Sequence, residues 1–264
     1  MQILSCSLSL YTVSAFADDS DFMQCIAERE RSVSQQTDSA LIWYRTSAEK
    51  TALFRQIFTD AMTQINNRVK TDKLKLNSWG VVFNLDNVLL DDSLYRYAQY
   101  LGCTKDNNVN FSNYLRNNIL PTNSGAADIT CQIQALGGKV FIVSNRNGSG
   151  DSGKELMAAT VNNLNQQHIC YNSILYASDT SGWNKNPRFT AITSGDYENI
   201  IVDKPQPATQ VVAYFGSNIE DFPSFKQNTA HELSPDSTLF DKFGTEYFLV
   251  PNPLTGNWRR NYWK

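Results

Sequence analysis

Apolar residues follow two different spacings along this chain. Short continuous apolar runs are typical of strands buried on both faces, whereas longer segments repeat apolar residues every three or four positions, as an amphipathic helix does. The runs predict strands at residues 79–85, 139–144, 199–202, 210–215 and 248–251. The longer segments predict helices at 39–69 (one or two helices), 93–120, 126–136 and 155–167.

Strands that alternate with helices predict an α/β fold, a three-layer Rossmann-like domain with a parallel central sheet. We expect residues 18–264 to form this single domain, with a small helical cap from about 20–70 and 91–120. Ligands of such sheets bind beyond the carboxyl ends of the strands. The residues that follow each strand are therefore the place to look for chemistry.

The composition fits a folded domain of this size. The chain has 264 residues, 41% of them hydrophobic, which is enough for one core with a small cap. The net charge is −3, and no clustered basic face is apparent. Nucleic-acid binding depends on such a face, so a nucleic-acid polymer is not an expected partner.

The first residues resemble a secretory signal peptide. Residues 3–17 are apolar or small and uncharged, and they end in the small-x-small pattern Ala15-Phe16-Ala17. No Lys or Arg precedes this run, which departs from the usual pattern. The run is too short to span a bilayer. We expect cleavage after Ala17, a periplasmic or secreted protein, and no transmembrane segment.

Removal of that leader, which contains Cys6, leaves four cysteines: Cys25, Cys103, Cys131 and Cys170. An even number suits an oxidising compartment, but four cysteines allow three pairings and several could equally be buried free thiols. There is no Cys-x-x-Cys motif, so a structural zinc site is not expected.

The first predicted strand ends in Asn84-Leu85-Asp86. Residues two apart on a strand point the same way. In an Asp-x-Asp pair, the first carboxylate can attack phosphorus and bind Mg²⁺, while the second serves as acid and base. Here the first position, Asn84, is an amide.

Polar residues also follow the second strand and precede a later helix. The Ser144 hydroxyl and the backbone after it, at Asn145, can hold a phosphate oxygen. Lys185, with Arg188 beside it, can offer a positive charge to the same oxygens.

The strand at 210–215 is followed by Gly216 and, further on, by Asp221. A glycine turn with acidic groups would complete a magnesium site. The acid expected directly after the glycine is missing, because that position is Ser217.

In this order, the motifs resemble the four signature motifs of the HAD superfamily, and both ends resemble its class C acid phosphatases. That family comprises secreted or lipid-anchored bacterial nonspecific phosphatases and 5′-nucleotidases. The likeness covers about residues 39–258. It rests on 43–49 (WYRTSAE), 83–87 (FNLDN), 143–146 (VSNR), 185–188 (KNPR), 216–222 (GSNIEDF) and 251–258 (PNPLTGNW).

The resemblance implies a role for each matching position. Asp86 is the acid/base aspartate, whose backbone carbonyl also ligates Mg²⁺. Asn84 stands at the nucleophile and metal-ligand position. Ser217 stands at another metal-ligand position, and Asp221 supports the metal site from outside it.

Ser144, Asn145 and Lys185 match the phosphate-binding positions, with Arg188 beside them, and Asn218 belongs to the last motif. Thr255 replaces an aromatic residue that can stack on a nucleoside base in the family.

Two replaced aspartates weaken both the nucleophile and the metal site, while the phosphate-binding positions remain. We therefore expect a small phosphorylated ligand, such as a nucleoside monophosphate, with catalysis lost or weakened and Mg²⁺ held weakly or not at all. Three alternatives stay open. They are a non-catalytic binding or storage-type protein, a Mg²⁺-dependent phosphatase inactivated by an engineered Asn84, and an active enzyme with a different arrangement of groups.

One rival motif lies at residues 148–154 (GSGDSGK), which fits the spacing of a P-loop. A P-loop needs Ser or Thr after its lysine to hold Mg²⁺, and Glu155 occupies that place. We expect a flexible loop that leads into a helix at Glu155.

Overall fold

The structure, a computed structural model, describes residues 19–32, 38–105 and 108–261. The expected signal peptide, residues 1–17, lies outside these ranges. The strands are β1 Trp79–Phe83, β2 Lys139–Asn147, β3 Ser173–Ala177, β4 Ile201–Val202, β5 Gln210–Gly216 and β6 Tyr247–Leu249. The helices are α1 Asp19–Ser32, α2 Ser39–Thr46, α3 Ala48–Thr71, α4 Ser93–Tyr100, α5 Asn108–Asn117, α6 Ala126–Ala135, α7 Gly150–Gln166, α8 Asn186–Ser194 and α9 Gln227–Ala230. Short 3₁₀ turns follow at Ile219–Asp221, Thr238–Phe240 and Asn257–Arg260.

The strands form one sheet in the order β4-β3-β2-β1-β5-β6. All neighbouring pairs are parallel except β3 with β4, which is antiparallel. β1 lies inside the sheet, and each of its residues is buried. The predicted α/β fold with a mainly parallel central sheet is confirmed.

Helices cover both faces of the sheet. Consecutive residues of β1 alternate between the faces, so Val81 joins the larger core cluster and Val82 joins a second one that includes Phe189 of α8. On the first face, the ring of Phe58 from α3 meets Phe215 of β5 edge-on at 5.8 Å. The two clusters define the three layers that the sequence predicted.

The first segment predicted as helical is two helices, α2 and α3, separated by Ser47. The Ser47 hydroxyl accepts the backbone N–H of Lys50 at 3.1 Å and so caps the start of α3. The other segment assigned to the cap contains α4 and α5.

α7 begins at Gly150, five residues before the predicted start at Glu155. A Cβ on Gly153 would lie 2.2 Å from the backbone carbon of Gly148, so these two glycines permit a close backbone approach. Lys154 pairs with Asp151 on the exposed surface at 2.9 Å. The spacing of the P-loop-like motif is thus explained by packing at the start of a helix.

The four cysteines form two disulfides, Cys25–Cys103 and Cys131–Cys170. The first joins α1 to the turn after α4, and the second joins α6 to the segment before β3. This selects one of the three pairings that the sequence left open. Among the described residues, no helix is both long enough and apolar enough to cross a membrane.

The Cys25–Cys103 bond closes a loop of 78 residues, so its loss should enlarge the conformational freedom of the unfolded chain. We expect Cys25→Ser/Cys103→Ser to lower the free energy of unfolding by about 2–5 kcal/mol in urea titrations. The matched Cys131→Ser/Cys170→Ser variant opens a loop of 39 residues. Its loss of unfolding free energy from loop closure should be about 0.6 kcal/mol smaller. Unchanged stability in both variants would contradict the assigned pairing.

Candidate active site

The ends of three neighbouring strands bring the predicted polar residues to one edge of the sheet. The last residue of β1, Phe83, is in register with Ile142 of β2 and with Phe215 of β5. Asn84 therefore begins a loop beside Ser144, while Ser217 begins a loop on its other side. The structure brings these sequence-predicted positions together at the expected edge.

Lys185, just before α8, reaches into this edge and connects two of its loops. Its ammonium donates to Asn84 Oδ1 at 2.7 Å and to Asp221 Oδ1 at 2.6 Å. Both side chains of the Lys185–Asp221 ion pair are buried. Burial lowers the pKa of Lys185, and the nearby charge of Asp221 opposes that shift.

The orientation of the Asn84 amide follows from its partner. A lysine ammonium only donates hydrogen bonds, so the oxygen of Asn84 must face Lys185 and its nitrogen must face away. That nitrogen donates to the backbone carbonyl of Asp86 at 2.8 Å. Asn84 thus holds the Lys185 ammonium on one side and its own loop on the other.

The second oxygen of Asp221 holds the loop after β5. Oδ2 accepts the backbone N–H groups of Ser217 at 2.9 Å and of Asn218 at 3.0 Å. A Cβ on Gly216 would lie 2.5 Å from the Cβ of Asp221, so the glycine allows this close approach. Asn218 in turn caps the 3₁₀ turn by accepting the N–H of Glu220.

Neutral side chains connect Ser217 to the C-terminal loop. The Asn252 amide donates to Ser217 Oγ at 3.4 Å and to Thr255 Oγ1 at 3.0 Å. Asn87, from the loop after β1, also donates to Thr255 Oγ1 at 3.4 Å. Sequence reasoning missed Asn87 and Asn252, because nothing in the chain order marks them as partners of Ser217 and Thr255.

Asp86 forms a bidentate ion pair with Arg146 near the end of β2. The guanidinium donates to Asp86 Oδ1 at 2.7 Å and to Oδ2 at 3.3 Å. It also donates to Thr160 Oγ1 of α7 at 2.9 Å, while the Arg146 backbone N–H donates to Ser144 Oγ at 3.1 Å. Arg146 was not among the predicted site residues, although its place directly after Ser144 and Asn145 was a usable signal.

Arg188 lies fully buried behind the site. Its guanidinium donates to the carbonyl oxygen of Ser144, to Asn145 Oδ1 at 2.9 Å and to the carbonyl oxygen of Asn184 at 3.2 Å. Burial lowers its pKa to about 10, which leaves it charged near neutral pH. Arg188 therefore joins the start of α8 to the end of β2, and a direct phosphate contact from it stays a prediction.

The charges at this edge do not cancel. Two carboxylates, Asp86 and Asp221, lie among three cationic groups, Arg146, Lys185 and Arg188, so the formal balance is +1. Aspartates at the two replaced positions would add two negative charges and change that balance to −1. A divalent cation would then be needed to reach +1 again.

The groups that the family resemblance implies as metal ligands are already occupied by hydrogen bonds. Asn84 Oδ1 accepts from Lys185, and the Asp86 carbonyl accepts from Asn84. Asp221, which the resemblance places outside the metal site, also accepts from Lys185. Ser217 Oγ accepts from the C-terminal loop. Across the described ranges, no three or more His, Cys, Asp or Glu side chains are grouped to hold a metal ion. These oxygen atoms do not fit Mg²⁺, because this ion prefers ligand oxygens that are charged and free of other hydrogen bonds.

The fold and the polar strand ends define a protein of the HAD superfamily type. A family model, HAD superfamily, subfamily IIIB (acid phosphatase), matches residues 21–258, and the chain belongs to that family. The family predicted from the motifs is therefore confirmed.

Solved structures of a class C acid phosphatase from Bacillus anthracis are similar in fold. One has a TM-score of 0.65 at 20% identity and covers 89% of this chain and 88% of its own. A second, with tungstate bound, also has a TM-score of 0.65 at 20% identity and covers 88% of this chain and 87% of its own. No curated protein sequence matches the chain significantly.

The buried contacts of Arg188 generate a stability prediction. Arg188→Lys keeps the positive charge but loses the planar guanidinium group, whose N–H groups reach three acceptors at once. We expect the free energy of unfolding to fall by about 2–3 kcal/mol, measured by urea titration. Arg55→Lys, on the exposed side of α3, should change it by less than about 0.5 kcal/mol. Equal changes in the free energy of unfolding for the two variants would show that the buried contacts of Arg188 contribute nothing to stability.

Proposed function

We propose that this chain binds phosphomonoesters, such as nucleoside monophosphates, without Mg²⁺ and does not hydrolyse them. The observation that carries the proposal is the position of the Lys185 ammonium, which is held between Asn84 and Asp221. A cation built into the chain thus lies among the positions where the family resemblance implies a metal.

The charge balance supports metal-independent binding. With two aspartates replaced, the remaining groups have a formal balance of +1 without any divalent ion. An anion entering this edge meets Lys185 and the hydroxyl of Ser144, both of which can donate hydrogen bonds. Asn145, whose oxygen faces Arg188, has its amide N–H groups left to donate.

The same contacts argue against turnover. Attack on phosphorus requires a negatively charged or otherwise activated nucleophile. The Asn84 oxygen is neutral and accepts a hydrogen bond from Lys185, which withdraws electron density from it. The Asp86 carboxylate is held in an ion pair with the Arg146 guanidinium. We therefore assign the chain a binding role in preference to a catalytic one.

We also propose export to the periplasm or beyond, through the signal peptide expected at residues 1–17. Two disulfides support an oxidising compartment. Amino-terminal sequencing of the exported protein should begin at Asp18, and retention of residues 1–17 on cytoplasmic protein would contradict the proposal.

Calorimetry with adenosine monophosphate at about pH 5, where its phosphate keeps one proton, tests the binding role. We expect the same affinity with Mg²⁺ and with a chelator, because Lys185 supplies the positive charge. Lys185→Met should weaken binding at least about tenfold, through loss of a charged hydrogen-bond donor. The matched Lys154→Met variant, which changes an exposed lysine at the P-loop-like motif, should bind as the wild type does. No binding in either condition would refute the proposal.

Hydrolysis of p-nitrophenyl phosphate at acidic pH tests the loss of catalysis. We expect no turnover by the wild type or by Asn84→Asp, because the single variant still lacks the acid at Ser217. Asn84→Asp/Ser217→Asp should regain Mg²⁺-dependent turnover, at least about 10³-fold above the wild type, as expected for restoring a nucleophile with its metal. Rescue by Asn84→Asp alone would instead favour an enzyme disabled at one position, and strong wild-type turnover would contradict the binding role.

A further inference from the structure

We propose that Asp86 makes this pocket selective for a phosphate group that carries a proton, and that the pocket rejects sulfate for the same reason. This inference rests on the proposed function, because it concerns which oxyanion the same site accepts. It gives Asp86 a role in specificity that needs no proton transfer and no metal.

The geometry of the Asp86–Arg146 pair supports this role. The Arg146 side chain is 2% exposed, whereas the Asp86 side chain keeps 22% of its surface exposed. Arg146 is therefore the buried member of the pair, and the Asp86 side chain keeps exposed surface. Arg146 also contacts Ser144 Oγ through its backbone N–H, so one residue joins Asp86 to the Ser144 hydroxyl.

Asp86 also lies close to the cation that attracts the ligand. Asn84 accepts from the Lys185 ammonium and donates to the backbone carbonyl of Asp86, so one side chain joins the two residues. The Ser144 hydroxyl is on the neighbouring strand, β2. An anion bound by Lys185 and Ser144 therefore presents one of its oxygens towards the Asp86 carboxylate.

The chemistry of that contact depends on whether the oxygen carries a hydrogen. A carboxylate can only accept hydrogen bonds, so it forms a short, charge-assisted bond with a P–O–H group. A bare anionic oxygen in the same place is repelled, because two negative charges face each other in a site of low dielectric. Near neutral pH, inorganic phosphate keeps at least one proton and sulfate keeps none.

The other groups of the pocket cannot make this distinction. Lys185, Ser144 and Asn145 offer hydrogen-bond donors, and donors favour phosphate and sulfate alike. Of the two carboxylates in the site, Asp86 keeps exposed surface, whereas Asp221 is buried and is held by Lys185 and by backbone N–H groups. The selectivity is thus assigned to a single side chain.

Calorimetry with inorganic phosphate and with sulfate at neutral pH tests the inference on the intact chain. The wild type should bind phosphate at least about tenfold more tightly than sulfate, as a charge-assisted hydrogen bond implies. Asp86→Asn should bind sulfate more tightly than the wild type and lose the preference, because an amide can donate to a bare oxygen. The matched Asp179→Asn variant removes an exposed carboxylate beyond the end of β3 and should keep the wild-type preference.

Asp86→Asn leaves the buried Arg146 without its charged partner, which can destabilise the fold. The double variant Asp86→Asn/Arg146→Gln removes both charges, and a thermal melt shows whether each variant is folded. A folded double variant that still prefers phosphate would overturn the inference, as would a wild type that binds both anions equally. Binding of neither anion to the wild type would instead refute the proposed function and, with it, the selectivity.

Discussion

The buried ion pair between Lys185 and Asp221 is the contact on which the polar edge of the sheet depends. A buried ammonium without a partner is costly, so the position of Lys185 requires the acceptors that Asp221 and Asn84 provide. Asp221 then uses its second oxygen to hold the loop after β5. One cation thus connects the start of α8 to the loops that follow β1 and β5.

The two neutral residues at the replaced positions fit this arrangement together. Asn84 accepts a hydrogen bond from Lys185 and donates one to the Asp86 carbonyl. A carboxylate at the same position could accept the first bond but could not donate the second. Ser217 accepts from Asn252 and so attaches the C-terminal loop to the site. Each substitution therefore has a hydrogen-bonding role of its own. The pair removes two negative charges, the amount that a divalent cation would otherwise offset.

Local patterns predicted the parts of the fold whose causes are local. The apolar run of β1 and the Ser47 cap before α3 follow from short segments of sequence. β3 (Ser173–Ala177) and α8 were missed although both carry local signals, an apolar run in β3 and a proline in the first turn of α8. Because the motifs follow the ends of predicted strands, the sequence indicated that they would lie together at one edge of the sheet. The Asp86–Arg146 pair and the disulfide pairing are set by tertiary contacts that residue spacing does not encode.

The remaining positive charge supports the proposed binding of an anion at this pocket. Lys185 is matched by Asp221, and Arg146 is matched by Asp86. Arg188 donates to neutral oxygens, which solvate its guanidinium without cancelling its charge. The charge of Asp221 acts on both Lys185 and Arg188 and can match only one of them. That uncancelled charge lies directly behind the Ser144 and Asn145 backbone. In the proposed function this charge attracts an oxyanion towards donors that are already in place, and in the proposed selectivity the paired Asp86 decides which oxyanion is accepted.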